Sequence, residues 1–260
     1  MKLEEFSQDN FEQASKRLVR SLTRGKTTSS QPKAILLGGQ SGAGKTTIHR
    51  IKQREFQGNI IIVDGDSYRS FHPNYLGLQK KYGKDSVDYT KVFAGQMVEY
   101  LVDELSKKGY HLLIEGTLRT TEVPRKTAQL LTTRGYQVSL ALIATKPELS
   151  YLSTLIRYEE LNAIEPSQAR ATPKEHHDGI VEHLVDNLRE LENDKIFNQI
   201  QIYQRDQSCV YDSEVHQISA AEVLHECLFG KWNTVEKEML KIGQERLREL
   251  GWKNGNSGIL

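Results

Sequence analysis

The sequence is poor in cysteine and has no long apolar stretch. Cys209 and Cys227 are its only cysteines among 260 residues, which excludes a disulfide framework or a zinc ribbon and favours the reducing cytoplasm. No apolar run approaches the roughly 18 residues that a membrane-spanning helix needs, and the acidic, polar start does not resemble a secretory signal. Neither sign of charge dominates, since 35 basic residues face 34 acidic ones. This balance argues against a dedicated nucleic-acid-binding protein, which would carry a basic excess.

Short apolar runs alternate with segments of helical periodicity from residue 34 onward. The runs are rich in branched residues and apolar on both faces, as buried parallel strands are. They occupy 34–37, 60–63, 111–114, 138–144 and 199–203. Helical segments lie near 45–56, 87–108, 121–134, 146–163, 173–193, 219–229 and 232–250. The alternation predicts an α/β fold with a central parallel sheet of about five strands, covered by helices on both faces.

Both ends of the chain add helices to this alternating region. Apolar residues recur at helical spacing over 7–22, where Asp9 and Glu12 resemble an N-terminal capping pair. We therefore predict a single domain over 1–260, with a helical extension at 1–30 and a C-terminal helix and tail at 231–260.

The strongest local motif is GQSGAGKT at 39–46, which matches the phosphate-binding pattern G-x-x-x-x-G-K-[ST]. Glycines permit backbone conformations in which successive N–H groups point at phosphate oxygens, and the following helix directs its positive end to the same place. Lys45 would reach the β- and γ-phosphates, and the Thr46 hydroxyl would bind Mg²⁺. Because the motif follows a predicted strand and opens a predicted helix, nucleotide binding is favoured over a simple glycine-rich turn.

Acidic residues end the second and third predicted strands, at the edge where open α/β sheets bind their ligands. Asp66 is a candidate general base for an acceptor hydroxyl, or a Mg²⁺ ligand. Asp64 is a weaker candidate, because Asp and Gly also favour turns. Glu115 follows the third strand, with Arg119 close behind. If that strand neighbours the first, Glu115 lies beside the phosphate loop and could bind substrate or hold water on the metal; otherwise it is an ordinary strand-end carboxylate.

Two arginines follow the fourth predicted strand. Arg157 lies in STLIRYEEL, and Arg170 lies in QARATP, just before a predicted helix. Phosphoryl transfer needs cations over the transferred group, where one arginine can contribute about 10³–10⁵ in rate. The alternative is that both are surface arginines paired with neighbouring glutamates.

Five segments, in their order and spacing, resemble the zeta toxins of bacterial toxin–antitoxin systems. They are AILLGGQSGAGKTT, VDGDSYRSFHP, LLIEGTLRTTEVP, IRYEE and QARATPKEHHD, and the resemblance covers about residues 1–230. It implies a P-loop kinase that transfers the γ-phosphate of ATP to the 3′-hydroxyl of the amino sugar of UDP-N-acetylglucosamine. The phosphorylated product would block peptidoglycan synthesis.

The resemblance also implies roles for particular residues. The ATP-binding residues would be Gly39, Gln40, Ser41, Gly42, Ala43, Gly44, Lys45, Thr46 and Thr47, with Mg²⁺ at Thr46 and the ATP phosphates. The catalytic residues would be Asp66, Lys45, Arg157 and Arg170, with Asp66 activating the sugar hydroxyl. The substrate-binding residues would be Asp66, Glu99, Glu115, Thr117, Arg119 and Thr127. Met97 lies in the same region, although a role in the core is equally compatible with its position.

A protein partner follows from the same resemblance. The inhibitor of these toxins is a small helical antitoxin that blocks the nucleotide site, and in one branch of the family two antitoxins and two toxins form a heterotetramer. The N-terminal helix at 7–22 lies in the region where we expect the antitoxin to bind. Neither nucleic acid nor a membrane is an expected partner.

Two other interpretations remain open. The chain could be a P-loop kinase of another small metabolite or of a polynucleotide 5′ end, although the balanced charge weighs against the polynucleotide. It could also be an ATP-controlled binding module that acts by sequestering a partner.

Overall fold

One sheet of six strands organises the described part of the chain, which in this computed structural model comprises residues 2–165, 169 and 171–254. The strands are β1 (Lys33–Gly38), β2 (Ile61–Val63), β3 (Leu112–Glu115), β4 (Gln137–Ile143), β5 (Gln199–Tyr203) and β6 (Cys209–Asp212). They lie in the order β2-β3-β1-β4-β5-β6. The first five are parallel, and β6 pairs with β5 in the antiparallel direction.

The parallel strands confirm the predicted α/β fold and coincide with the five apolar runs. β6 was not predicted, because CVYD is too short to show a strand period. β1 lies between β3 and β4, and Leu37 of β1 is paired in register with Glu115 of β3. The carboxyl ends of β1 and β3 therefore lie side by side. This order places Glu115 next to the phosphate loop that follows β1, as expected if the two strands are neighbours.

Helices cover both faces of the sheet. They are α1 (Gln8–Leu22), α2 (Thr46–Glu55), α3 (Gly65–Tyr68), α4 (Tyr75–Tyr82), α5 (Ser86–Lys107), α6 (Glu122–Thr133), α7 (Pro147–Ile164), α8 (Lys174–Asn193), α9 (Ala220–Phe229) and α10 (Thr234–Lys253). The predicted helices are confirmed, whereas α3 and α4 were missed because helices of one or two turns carry little periodicity. None of the described helices combines the length and apolarity that crossing a bilayer requires.

The alternation of side chains along β1 divides the core into two parts. Ala34 and Leu36 face one hydrophobic cluster, whereas Ile35 and Leu37 face the other. Successive residues of a strand point to opposite faces, so a sheet covered on both sides buries residues of both faces. This is the physical reason why the strands read as continuous apolar runs rather than as alternating ones.

The N-terminal helix α1 packs onto α5 through aromatic side chains. Phe11 of α1 lies edge-on to Phe93 and Tyr100 of α5, with ring centroids 5.6 and 5.9 Å apart. Phe6, just before α1, meets Phe93 in the same manner at 5.0 Å. Aromatic pairs in this geometry contribute beyond their buried area, so α1 is joined firmly to the α/β core.

The cap of α1 differs from the expected one. Ser7 is the N-cap residue: its hydroxyl accepts a hydrogen bond from the Asn10 backbone N–H at 3.1 Å, and the Asn10 side chain accepts one from the Ser7 backbone N–H. The predicted pair of Asp9 and Glu12 was therefore wrong. Asp9 lies inside the first turn, where its charge still favours the positive end of the helix.

The C-terminal helix α10 packs along α7. A Cβ on Gly243 of α10 would lie 2.6 Å from Leu152 Cδ2 of α7, so the two helices approach closely at this glycine. Leu247 and Leu250 of α10 are buried. This packing holds α7 from outside, while its opposite side faces the phosphate loop.

We expect Phe93→Ala to lower the free energy of unfolding by about 3–5 kcal/mol, because it leaves a cavity in a filled aromatic cluster. Phe93 is 0% exposed, whereas the adjacent Val92 is 58% exposed. Val92→Ala is therefore the matched control and should stay within about 0.5 kcal/mol of the unsubstituted protein. Urea titrations followed by circular dichroism measure both, and equal losses would contradict the proposed core.

Candidate active site

The phosphate loop joins the end of β1 to the start of α2. Gly39, Gly42 and Gly44 have φ angles of +141°, +74° and +102°, which residues with a Cβ adopt only at a cost. These conformations turn the backbone sharply in front of the N-terminus of α2. A helix N-terminus preceded by such a loop is suited to binding an anion, because free N–H groups and the helix dipole favour negative charge there.

The first turns of α7 lie directly behind this loop. A Cβ on Gly42 would come 2.0 Å from the Ser150 carbonyl oxygen and 2.8 Å from Thr154 Cγ2. Gly39 is similarly enclosed, since a Cβ there would lie 2.8 Å from Ile143 Cγ2 at the end of β4. Two of the loop glycines are therefore required by packing as well as by backbone conformation.

The Gln40 side chain points away from the loop interior. It is 0% exposed, and its Nε2 donates hydrogen bonds to the Thr145 carbonyl oxygen at 2.7 Å and to Ser150 Oγ at 3.2 Å. Of the expected ATP-binding residues, Gln40 can therefore contact a ligand only through its main chain. Ala43 and Thr47 are also buried, whereas Thr46 is exposed at the start of α2.

Lys45 connects the phosphate loop to the end of β3. Its Nζ donates a hydrogen bond to the Gly39 carbonyl oxygen at 3.2 Å and lies 3.6 Å from Glu115 Oε1. The pairing of Leu37 with Glu115 across the two strands brings these groups together. The ammonium group is thus held at the loop by a backbone oxygen and a carboxylate.

His49 joins this cluster, and the sequence reasoning missed it. Its Nε2 lies 2.9 Å from Glu115 Oε2, although the direction is not that of a well-formed hydrogen bond. The available signal was its position four residues after Lys45, the residue that precedes α2, because this spacing places both side chains on one face of the helix. Glu115 therefore has Lys45 beside one carboxylate oxygen and His49 beside the other.

A cleft of about 580 Å³ opens beside this cluster, a size that accommodates a small molecule. The residues that line it include all five expected substrate-binding residues other than Asp66, namely Glu99, Glu115, Thr117, Arg119 and Thr127. Apolar side chains form other parts of the wall, including Val98, Val123 and Leu130. Met97 is 0% exposed and belongs to the hydrophobic core, so the structure places it behind the cleft wall.

The floor of the cleft contains an unusual backbone conformation. Leu118 has a φ of +58°, in the left-handed region that a leucine rarely adopts. Its carbonyl oxygen accepts a hydrogen bond from Asn187 Nδ2 of α8 at 2.9 Å, and its side chain is buried in the core. This conformation sets the directions in which Thr117 and Arg119 leave the chain. No sequence pattern indicated it.

Asp66 lies on α3, just past the end of β2, and its side chain is 72% exposed. Arg69 Nε donates a hydrogen bond to Asp66 Oδ1 at 2.8 Å, while Arg69 Nη1 donates to the Val87 carbonyl oxygen. Asp64 has a structural role: its side chain accepts from the Asp66 backbone N–H and the Ser67 hydroxyl, which caps α3. Asp66 is therefore oriented by Arg69, and most of its side chain is exposed.

His176, at the start of α8, is influenced by the charges of Asp66 and of a cleft residue. The pKa of its imidazole is lowered, first by burial and next by the positive charge of Arg119, while the carboxylates of Asp88 and Asp66 act in the opposite direction. Asp66 and the cleft residue Arg119 therefore lie within electrostatic reach of the same side chain.

The two candidate arginines are placed differently. Arg157 is exposed on α7, one turn beyond Thr154 on the face that carries Ser150 and Thr154. No contact among the described residues joins it to Lys45 or Asp66. Arg170 lies outside the described residues.

The sheet is mostly parallel, and its inner strand β1 ends in a phosphate loop beside a cleft. These features define a protein of the P-loop kinase fold. Residues 18–216 match the sequence profile described as Zeta toxin. The chain therefore belongs to the zeta toxin family.

Curated relatives cover most of the chain. It is 70% identical over 250 residues to Toxin PezT of Streptococcus pneumoniae serotype 4, and this match covers 96% of this chain and 99% of that protein. It is 42% identical over 204 residues to Toxin zeta of Enterococcus hirae, covering 78% of this chain and 71% of that protein.

Solved structures agree with this assignment. The fold is similar, with a TM-score of 0.91 and 68% identity, to a chain from the PezAT chromosomal toxin–antitoxin system of Streptococcus pneumoniae, covering 96% of this chain and 100% of that one. A chain from the AvrRxo1-ORF1:-ORF2 complex with ATP matches with a TM-score of 0.57 at 13% identity, and the match covers 97% of this chain and 87% of that one. The latter likeness concerns the fold alone.

We expect Gly42→Ala to destabilise the protein and displace the loop, because the new Cβ would overlap the Ser150 carbonyl oxygen of α7. Gly135 is the matched control: its φ of +80° imposes the same backbone strain, but no atom lies within 4 Å of a Cβ there. Gly135→Ala should therefore cost only the left-handed backbone penalty, about 1–2 kcal/mol. Thermal unfolding of both variants measures the difference, and equal losses would show that the close approach to α7 is not limiting.

Proposed function

We propose that this protein is a toxin kinase that transfers the γ-phosphate of ATP to the 3′-hydroxyl of the amino sugar of UDP-N-acetylglucosamine. The observation that carries the proposal is the 3.6 Å approach of Lys45 Nζ to Glu115 Oε1. Lys45 belongs to the phosphate loop and Glu115 lines the cleft, so a nucleotide held by the loop would present its terminal phosphate at the cleft entrance.

On the nucleotide side, the loop from Gly39 to Thr47 would surround the phosphates with backbone N–H groups. Lys45 would exchange its contact with the Gly39 carbonyl oxygen for the β- and γ-phosphate oxygens. The exposed Thr46 hydroxyl at the start of α2 suits Mg²⁺, which when bound supplies charge neutralisation during transfer. Arg157 and Arg170 are proposed to stabilise the transferred phosphoryl group. For Arg157 the proposal is supported by its position on the face of α7 that carries Ser150 and Thr154, which pack against the phosphate loop.

On the acceptor side, the proposed roles follow the polarity of the cleft. Glu99, Glu115, Thr117 and Thr127 offer acceptors or hydroxyls for the sugar and the base. Arg119 offers a cation for the diphosphate. The apolar wall near Val123 would cover the less polar surfaces of the ligand.

The proposed transfer is a single displacement. The sugar oxygen forms a bond to the γ-phosphorus, the bond from that phosphorus to the β–γ bridging oxygen breaks, and ADP leaves. The hydroxyl proton passes to the Asp66 carboxylate. Because an ordinary aspartate is a weak base, we expect its placement by Arg69 to matter more than its basicity.

Incubation of the purified protein with ATP, Mg²⁺ and a panel of UDP-sugars tests the assignment directly. Mass spectrometry should detect one added phosphate on UDP-N-acetylglucosamine, and Lys45→Ala should abolish it while the fold is kept. A product from another metabolite or from a polynucleotide 5′ end would assign a different kinase activity. No product from any acceptor, with ATP still bound, would favour a binding module.

We expect Asp66→Asn to lower kcat by about 10²–10⁴, the usual contribution of a general base, while the dissociation constant for MgATP stays unchanged. Asp64→Asn is the matched control, because asparagine also caps helices and the change in charge is the same. It should retain most activity. A comparable loss of MgATP affinity in Asp66→Asn would make Asp66 a metal or nucleotide ligand instead.

We further propose that a helical antitoxin inhibits the toxin by covering the nucleotide cleft, as a heterotetramer of two toxins and two antitoxins. One relative comes from a toxin–antitoxin system, which supports the existence of a partner. The outer side of α1 and the segment from Ser70 to Pro73 frame a shallow cavity of about 450 Å³ that begins four residues after Asp66. A concave surface at this place supports α1 as part of the contact surface.

We expect the complex with the cognate antitoxin to bind MgATP far more weakly than the free toxin, since two ligands that share a site compete. Calorimetric titration of free toxin and purified complex with MgATP measures this. Equal MgATP affinities would mean that the antitoxin binds away from the nucleotide cleft.

We propose that the protein acts in the cytoplasm.

A further inference from the structure

Arg205, in the turn between β5 and β6, lies against the rear of the phosphate loop. Its Nε donates a hydrogen bond to the Ala43 carbonyl oxygen at 3.0 Å, and its Nη2 donates to the Gly42 carbonyl oxygen. The same Nη2 contacts two groups of α7, the Leu149 carbonyl oxygen at 3.4 Å and Ser153 Oγ at 2.9 Å. One guanidinium group therefore joins the hairpin, the loop and α7.

Arg205 forms no ion pair with an acidic residue in the part of the chain that the structure describes. None of the ion pairs formed by the described residues includes it, and burial lowers the pKa of its guanidinium group. Its acceptors are the neutral oxygens described above. A partly buried cation without a counter-ion is costly unless an anion binds nearby, and the phosphate loop is the neighbouring place where an anion would bind.

The hydrogen bonds of Arg205 also fix a peptide orientation. The Ala43 carbonyl oxygen accepts from Arg205 Nε and from Thr145 Oγ1, the latter at 2.8 Å. In a trans peptide the carbonyl and the next N–H point in opposite directions. With the Ala43 carbonyl held toward the rear, the Gly44 N–H points to the loop interior. Gly44 itself packs on Arg205, since a Cβ there would lie 3.4 Å from Arg205 Cγ.

We propose that Arg205 is a positioning residue for triphosphate binding: it holds the Ala43–Gly44 peptide with its N–H toward the phosphates and adds positive charge behind the loop. This inference rests on the proposed use of ATP. Arg205 would not touch the nucleotide or the sugar. Its loss should therefore weaken MgATP binding and leave recognition of the acceptor unchanged.

Three variants separate this role from a purely structural one. Arg205→Met removes the charge and all four hydrogen bonds, whereas Arg205→Lys keeps the charge and loses the forked geometry. Arg134→Met is the matched control: Arg134 also bonds a backbone oxygen, a serine hydroxyl and a carboxylate, but it joins the end of α6 to α5. The dissociation constant for MgATP, the KM for UDP-N-acetylglucosamine and the melting temperature are measured for each.

We expect Arg205→Met to weaken MgATP binding about tenfold or more, corresponding to about 1.4 kcal/mol, with an unchanged KM for the acceptor. Arg205→Lys should recover part of the affinity. Arg134→Met should lower the melting temperature without changing MgATP binding.

Unchanged MgATP affinity in folded Arg205→Met would overturn the inference. If that variant does not fold, Arg205→Lys provides the test, because lysine cannot bond both carbonyl oxygens as arginine does. Wild-type affinity for MgATP in Arg205→Lys would then overturn the inference. A wild-type protein that binds MgATP but phosphorylates no UDP-sugar would refute the proposed acceptor. The role of Arg205 would then be tested by the MgATP affinities of the variants. A wild-type protein that does not bind MgATP would refute both.

Discussion

The backbone of the phosphate loop rests on the first turns of α7, and this contact leaves no space for a side chain at Gly42. The arrangement of the candidate active site depends on it. From α7, the Ser150 carbonyl oxygen packs against the loop and the Ser150 hydroxyl meets Gln40, while α10 packs on α7 from outside. The loop is thus backed by α7, and α7 in turn by α10. Conformational freedom at the site is reduced before a ligand arrives, which favours binding because less ordering is needed then.

Much of the fold could be predicted because its signals are local. The parallel strands bury most of their side chains, so their apolar runs are visible without knowledge of their neighbours. The loop motif prescribes its own backbone. Glu115 needed one further step, since its proximity to Lys45 depends on β3 lying beside β1. The sequence alone could state this only as a condition, because strand order is not written in any single segment.

The remaining features depend on contacts between residues far apart in sequence. Gln40 occupies a position that the loop motif leaves free, and its buried role depends on Thr145 and Ser150, more than one hundred residues later. Arg205 lies in the turn before β6, a strand too short to predict, so its approach to Ala43 could not be anticipated. His49 is different: its helical spacing from Lys45 was visible, but a histidine on a helix indicates a functional role only when its neighbour is known.

Leu118 illustrates how opposing requirements meet at one position. Its left-handed backbone costs about 1–2 kcal/mol, whereas burying a leucine side chain contributes about 1.5–3 kcal/mol. Glycine would remove the backbone strain but lose the buried side chain, whereas a β-branched residue would increase the strain. Few alternatives satisfy both demands, so we expect this position to vary slowly in evolution. Variation that retunes the cleft should accumulate at its rim instead.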